Sequence, residues 1–156
     1  MKKILGIDPA LRKTGWAIIE KNNNSLNFIA SGTIKTNDKE SMAERLSDLH
    51  YQLAEIIEEY WPEEVAIEET FVNNNSLSSL KLGQARGAII VSCAIFKLKI
   101  SEYASTTVKK TISGIGRADK NQIATMVKYL MPRAEFNNAD ESDAIAIAIC
   151  HNNHLR

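Results

Sequence analysis

Apolar residues follow two rhythms along this chain. Near its start they gather into short runs, 4–7 and 16–19, each of strand length, and residues 26–34 form a third. Pro9 stops the first run, a turn with Lys13, Thr14 and Gly15 returns the chain, and Asn22-Asn23-Asn24-Ser25 makes a second polar turn. Sequential strands with such short links predict an antiparallel meander. From Lys39 to Tyr60 the rhythm changes: Met42, Leu46, Leu49, Leu53, Ile56, Ile57 and Tyr60 mark a helical stripe, ended by Pro62. The opposite face, with Glu40, Glu44, Asp48, Glu55, Glu58 and Glu59, reads as a solvated surface.

The strand rhythm returns at 65–69. A polar loop follows, in which Ser76 can cap a helix over roughly residues 77–98. That helix is apolar around much of its circumference and holds Gly83 and Gly87 one turn apart. Glycine costs about 1 kcal/mol in a helix interior, so a close contact with the sheet or with a second subunit is expected there. Residues 99–103 fit a fifth strand, and 105–117 read as a basic loop around Gly114-Ile115-Gly116. Asp119 is the expected N-cap of a helix with the stripe Ile123, Met126, Val127 and Leu130. Asn137 or Asn138 is expected to cap a last helix over 140–150. Strands and helices in this order predict an α/β protein, and no internal repeat or linker divides it, so residues 1–156 are expected to form one domain.

Composition narrows the environment. No apolar run reaches transmembrane length and no signal-peptide pattern precedes the first strand, so a cytoplasmic protein without a membrane partner is expected. Cys93 and Cys150 are far apart, each within an apolar helical pattern, and read as buried thiols rather than a disulfide or zinc site. The formal net charge is zero, but it is unevenly spread. Lys and Arg number 8 against 13 Asp and Glu in residues 1–78, 10 against 2 in 79–133, and 1 against 4 in 134–156. A basic surface beside an acidic site would produce this asymmetry.

The acids have positions as well as numbers. Asp8 and Glu68 each end an apolar strand, and each has a small residue (Gly6, Ala66) two positions earlier on its own face. A strand-end Asp can serve merely as a turn cap. Asp140 and Asp143 stand three apart on one helix face, continued by Ala144, Ile147, Ala148 and His151, although the helix dipole alone would favour acids there. If the last helix lies across Gly6 and Ala66, Asp8, Glu68, Asp140 and Asp143 converge, and Glu69 faces the other way. Four such carboxylates need a counter-charge, for which hard divalent cations such as Mg²⁺ are suited. Two such ions can serve phosphodiester hydrolysis, with the basic segment contacting phosphates.

Segments 6–17 (GIDPALRKTGWA), 66–69 (AIEE) with Phe71, 80–87 (LKLGQARG) and 140–148 (DESDAIAIA) resemble, in order and over nearly the whole chain, the RuvC family of Holliday-junction resolvases. The resemblance implies an RNase H-like α/β fold: a five-stranded mixed sheet, meander first and parallel strands after, flanked by helices. It implies a homodimeric endonuclease that resolves four-way DNA junctions in recombination and repair, with two Mg²⁺ per active site and Mn²⁺ as a substitute, and contact with a branch-migration motor. The family's four acids fall on Asp8, Glu68, Asp140 and Asp143. Phe71 matches an aromatic that stacks on an unpaired base. Lys109 and Lys120 match basic positions linked to DNA contact and catalysis, while Lys81, Arg86, Lys110 and Arg117 are assigned more loosely. The chain has Ala10-Leu11-Arg12-Lys13 where many relatives have glycine. Rival readings are an RNase H or another nuclease of this fold, or a catalytically silent junction-binding module, which would have no use for four acids. An actin-like kinase would need a second domain that 156 residues cannot hold.

Overall fold

The computed structural model describes residues 1–69 and 74–155. The elements are β1 (Lys2–Asp8), β2 (Lys13–Asn22), β3 (Ser25–Lys35), α1 (Met42–Tyr60), β4 (Glu64–Glu68), α2 (Ser76–Ile95), β5 (Lys99–Tyr103), α3 (Ser105–Ser113), α4 (Lys120–Leu130) and α5 (Ala139–His154). The strands form one sheet in the order β3-β2-β1-β4-β5. β1, β2 and β3 make the antiparallel meander, whereas β4 and β5 pair parallel to β1 and to each other. β1 is therefore the strand at which the sheet changes character.

Alternation along the strands feeds two separate cores. Leu5, Ile7, Val65 and Ile67 face α1 and α2, while Ile4, Ala66 and the alanine-isoleucine run of α5 share the other core with α3 and α4. The second core accounts for the composition of α5. Residues Ala144 to His151 are all buried, which leaves this helix no solvated side to pattern.

Helix boundaries follow local chemistry. α1 begins with a capping box: the Ser41 hydroxyl accepts the Glu44 N–H at 3.2 Å and the Glu44 carboxylate accepts the Ser41 N–H at 3.0 Å. It closes on Trp61, left-handed at φ 50°, directly before Pro62. α2 is capped by Asn75, not Ser76, and stops at Ile95, short of the expected 98, because Lys97 turns left-handed at φ 58°. Asp119 and Asn138 cap α4 and α5 as expected. Residues 105–113 form a helix rather than the expected loop. Their serines and threonines obscured it, yet Val108 and Ile112, one turn apart, are both buried in the second core. Packing outweighs propensity there.

Gly83 and Gly87 do not meet the sheet. Apart from the helix's own backbone, nothing lies within 4 Å of where a Cβ at either would stand. Cys93 and Cys150 are buried and free. No helix among the described residues is long and apolar enough to cross a membrane.

Candidate active site

The acids come together because two strands carry glycine where α5 crosses them. A Cβ on Gly6 would stand 2.2 Å from the Ala144 carbonyl oxygen and 2.9 Å from Ala148 Cβ. Gly15, opposite Asp8 in the β1–β2 pair, does the same one turn earlier: its Cβ would stand 2.1 Å from the Asp140 carbonyl oxygen. Real Cβ atoms do not approach this closely, so the backbone of α5 rests directly on β1 and β2. The expected contact with Gly6 is present, and Ala66 is buried in the same core. The sequence does not reveal the Gly15 contact, because a glycine after Lys13-Thr14 reads as a hairpin residue.

This seating brings the α5 acids to the ends of β1 and β4. Burial pushes the Asp8 carboxyl up to about 8, helped by the charges of Glu68 and Asp143, a hydrogen bond with Glu68, and the charge of Asp140. Asp143 is pushed up to about 6 by burial; Lys120 and Lys109 pull it down, Glu68 and Asp140 push it up. The four acids are thus electrostatic neighbours with too little positive charge among them. Glu69 takes no part; its N–H donates to the Tyr103 carbonyl at 2.8 Å and it is exposed. Glu141, between the two α5 aspartates, is buried and structural. It accepts from Ser31 Oγ at 2.9 Å and from the Asn137 N–H at 3.1 Å, tying the start of α5 to β3.

Asp8, Glu68 and Asp143 line a cleft of about 440 Å³. Its other wall comes from α3 and α4 and includes Ser105, Lys109, Asp119 and Lys120. Lys109 and Lys120 therefore belong to the site. Lys110, in the last turn of α3, and Arg117, on the α3–α4 connection, are exposed outside that cleft. Lys81 is exposed on α2. Arg86 is in an ion pair with Glu102 of β5, so its charge is already matched. Phe71 lies outside the described residues. Asp119 was expected only as a cap; it does accept the Gln122 N–H at 2.8 Å, and it also borders the cleft.

Among the described residues, no three His, Cys, Asp or Glu side chains are gathered closely enough to hold a metal ion by themselves. Mg²⁺ does not require such a cage. It keeps several waters and is held by one or two carboxylates together with substrate phosphates. An oxygen-only donor set, crowded and short of counter-charge, fits that ion.

At its far end α5 is anchored by a buried polar network. His151 Nε2 lies 2.6 Å from Glu64 Oε2, Tyr103 Oη lies 2.7 Å from His151 Nδ1, and Lys2 Nζ lies 2.8 Å from Glu64 Oε1. Burial pushes the Glu64 carboxyl up, but its bonds to Lys2 and His151 outweigh that and hold it below the usual range.

A mixed sheet of this topology, with acids at the ends of two adjacent strands and on a helix crossing them, beside a lysine-bearing wall, defines a nuclease of the RNase H-like class. A family profile described as crossover junction endodeoxyribonuclease RuvC matches residues 4–151. The chain belongs to the RuvC family. Proteins named crossover junction endodeoxyribonuclease RuvC from Chelativorans sp. (strain BNC1) and Brucella anthropi are 52% and 51% identical over 152 residues, which are 97% of this chain and 89% and 88% of theirs. Among solved structures, T. thermophilus RuvC in complex with a Holliday junction substrate superimposes with a TM-score of 0.89 at 28% identity, covering 97% of this chain and 93% of that one.

Proposed function

We propose that this chain is a single-domain, cytoplasmic nuclease that cuts four-way DNA junctions, hydrolysing one phosphodiester in each of two strands of like polarity. The products are 5′-phosphate and 3′-hydroxyl ends. The observation that carries this reading is the shared cleft, with Asp8, Glu68 and Asp143 on one wall and Lys109 and Lys120 on the other. Family membership supports the junction as substrate.

Asp8, Glu68, Asp140 and Asp143 would hold the divalent cations, two Mg²⁺ with Mn²⁺ as a substitute. When bound, such ions supply the Lewis acidity that activates an attacking water and stabilises the leaving oxygen. The rest falls to the chain's own groups. Lys109 and Lys120 draw the scissile phosphate into an acidic cleft that would otherwise repel it, and limit the upward shift of Asp143. Asp8, kept in its protonated range by burial and its neighbours, must lose that proton for the site to become fully anionic. Phe71 is assigned the stacking role, and Lys110, Arg117 and Lys81 outer phosphate contacts. Arg86 would join them only by leaving Glu102.

A homodimer completes the reading, since two cuts of like polarity require two sites. α2 supports it: Leu80, Gly83, Gly87, Val91 and Ile95 form an exposed stripe at helical spacing. Glycines open to the outside allow a second helix to approach closely. The family resemblance also implies contact with a branch-migration motor.

The test offers a four-way junction, a linear duplex and an RNA–DNA hybrid, each with Mg²⁺ and with chelator. Paired cutting of the junction alone, abolished by chelator, is the expected result. Equal cutting of all three would overturn the resolvase reading.

A further inference from the structure

The connection between α3 and α4 ends in an ordered tip whose outermost side chain is apolar. Ile115 is 55% exposed. Its backbone is nevertheless held on both sides. The Ser113 hydroxyl accepts the Ile115 N–H at 3.2 Å and directs its own proton toward the Lys109 and Ile115 carbonyls, at 2.7 and 3.0 Å. The Ala118 N–H donates to the Ile115 carbonyl at 3.2 Å, and the left-handed Gly114 donates to Lys110 at 2.8 Å. The turn thus holds a large aliphatic group toward solvent in a fixed position.

The surroundings indicate what would cover it. Ile115 borders a groove of about 350 Å³ with Met126 as its other apolar wall and Asn121, Gln122 and Thr125 as polar lining. Asp119 lines both this groove and the acidic cleft, so the two are neighbours on either side of the start of α4. Exposed cations flank the tip: Lys110 before it, Arg117 and Lys120 after it. Cations around an apolar side chain, with amide and hydroxyl groups opposite, match one nucleotide of a strand: phosphate outside, sugar and base edge within.

We propose that this groove is a nucleotide subsite next to the cleft, in which Ile115 packs against the sugar and base of a residue flanking the cut. The subsite rests on the junction-nuclease reading above. Ile115 is a positioning residue: it fixes the register of the strand and touches no reacting atom.

The experiment compares wild type, Ile115→Ala and Ile115→Leu on an intact four-way junction and on one with abasic sites flanking the cut. Both KM and kcat are measured with Mg²⁺. Ile115→Ala is expected to raise KM by about tenfold, the loss of a few buried aliphatic carbons, with kcat within about twofold. Ile115→Leu should restore most of it. The abasic junction should weaken wild type and add little to the defect of Ile115→Ala, since both remove one contact. A KM for Ile115→Ala within about twofold of wild type, or fully additive defects, overturns the subsite alone. Failure of wild type to cut the intact junction overturns the function, and the subsite with it.

Discussion

Gly15 lies directly beneath Asp140, so close that a Cβ at position 15 would stand 2.1 Å from the Asp140 carbonyl oxygen and 3.1 Å from its Cβ. A glycine in one strand thus sets the height of an acid on a helix 125 residues further along the chain. Gly15→Ala would lift the first turn of α5, which carries Asp140 and leads into Asp143. Overpacking against backbone of this kind costs about 1–3 kcal/mol. The expected result is a folded protein with a lowered denaturation midpoint and a loss of cleavage larger than the stability change explains. Unchanged cleavage would mean that α5 can shift without dispersing the acids.

The acids also predict how metal-free stability responds to pH. Asp8 stands at about 8 in the folded chain against an ordinary 3.8, and Asp143 at about 6. A raised carboxyl pKa means that the folded state binds protons more tightly than the unfolded state. The associated stability is present below about 4 and is lost as pH rises through 6 and then 8. Thermal unfolding in chelator should therefore show a midpoint that falls between pH 4 and 8, with a shallower fall in Asp8→Asn. An equally steep fall in that variant would place the titration elsewhere.

Mg²⁺ should reverse the penalty at neutral pH. An ion that binds only the folded state stabilises by about 2.7 kcal/mol at 100 times its Kd, and here it also releases the proton on Asp8. Wild type should melt higher with rising Mg²⁺ and release protons on binding, both readable by calorimetry in two buffers. Asp8→Asn should lose these responses and cleavage but still bind the junction. Cutting at the wild-type rate by that variant would remove Asp8 from the metal site.

Lys120 has a separable electrostatic role. It is the strongest of the groups that hold the Asp143 carboxyl down. Lys120→Ala should move the acid limb of the pH–rate profile to higher pH as well as slow cleavage. A slower rate with an unmoved profile would confine Lys120 to phosphate contact.

The α2 stripe predicts an oligomer. Val91, between Gly87 and Ile95 on that stripe, is 57% exposed, and Val91→Glu should give monomers by sedimentation, with the fold intact by circular dichroism. Paired cutting should be lost. A dimer that survives this change would move the interface away from α2.

Much of this site could be read from residues in order. Asp8 and Glu68 were recognisable because strand alternation places each behind a small residue, and Asp140 and Asp143 because helical spacing puts them on one face. The register between distant strands was not readable, and so neither was Gly15, whose significance comes from a helix it meets only in the folded chain. α3 stayed hidden for a related reason: its serines and threonines favour turns, and only the burial of Val108 and Ile112 decides otherwise. Sequence likewise could not show that Arg86 is already paired with Glu102.

The network around His151 gives α5 a second fixed point. About 16 Å of helix separates Asp140 from His151 at 1.5 Å per residue. The helix is clamped at one end by glycines that let backbone touch backbone, and at the other by Glu64, Tyr103 and the ring between them. A rod held at both ends resists sliding and pivoting. The distance between the α5 acids and the strand acids is thereby set before any substrate arrives. Tolerances at the cleft are thus tied to Glu64, which starts the strand that Glu68 ends, and to Tyr103, which pairs with Glu68 across the sheet.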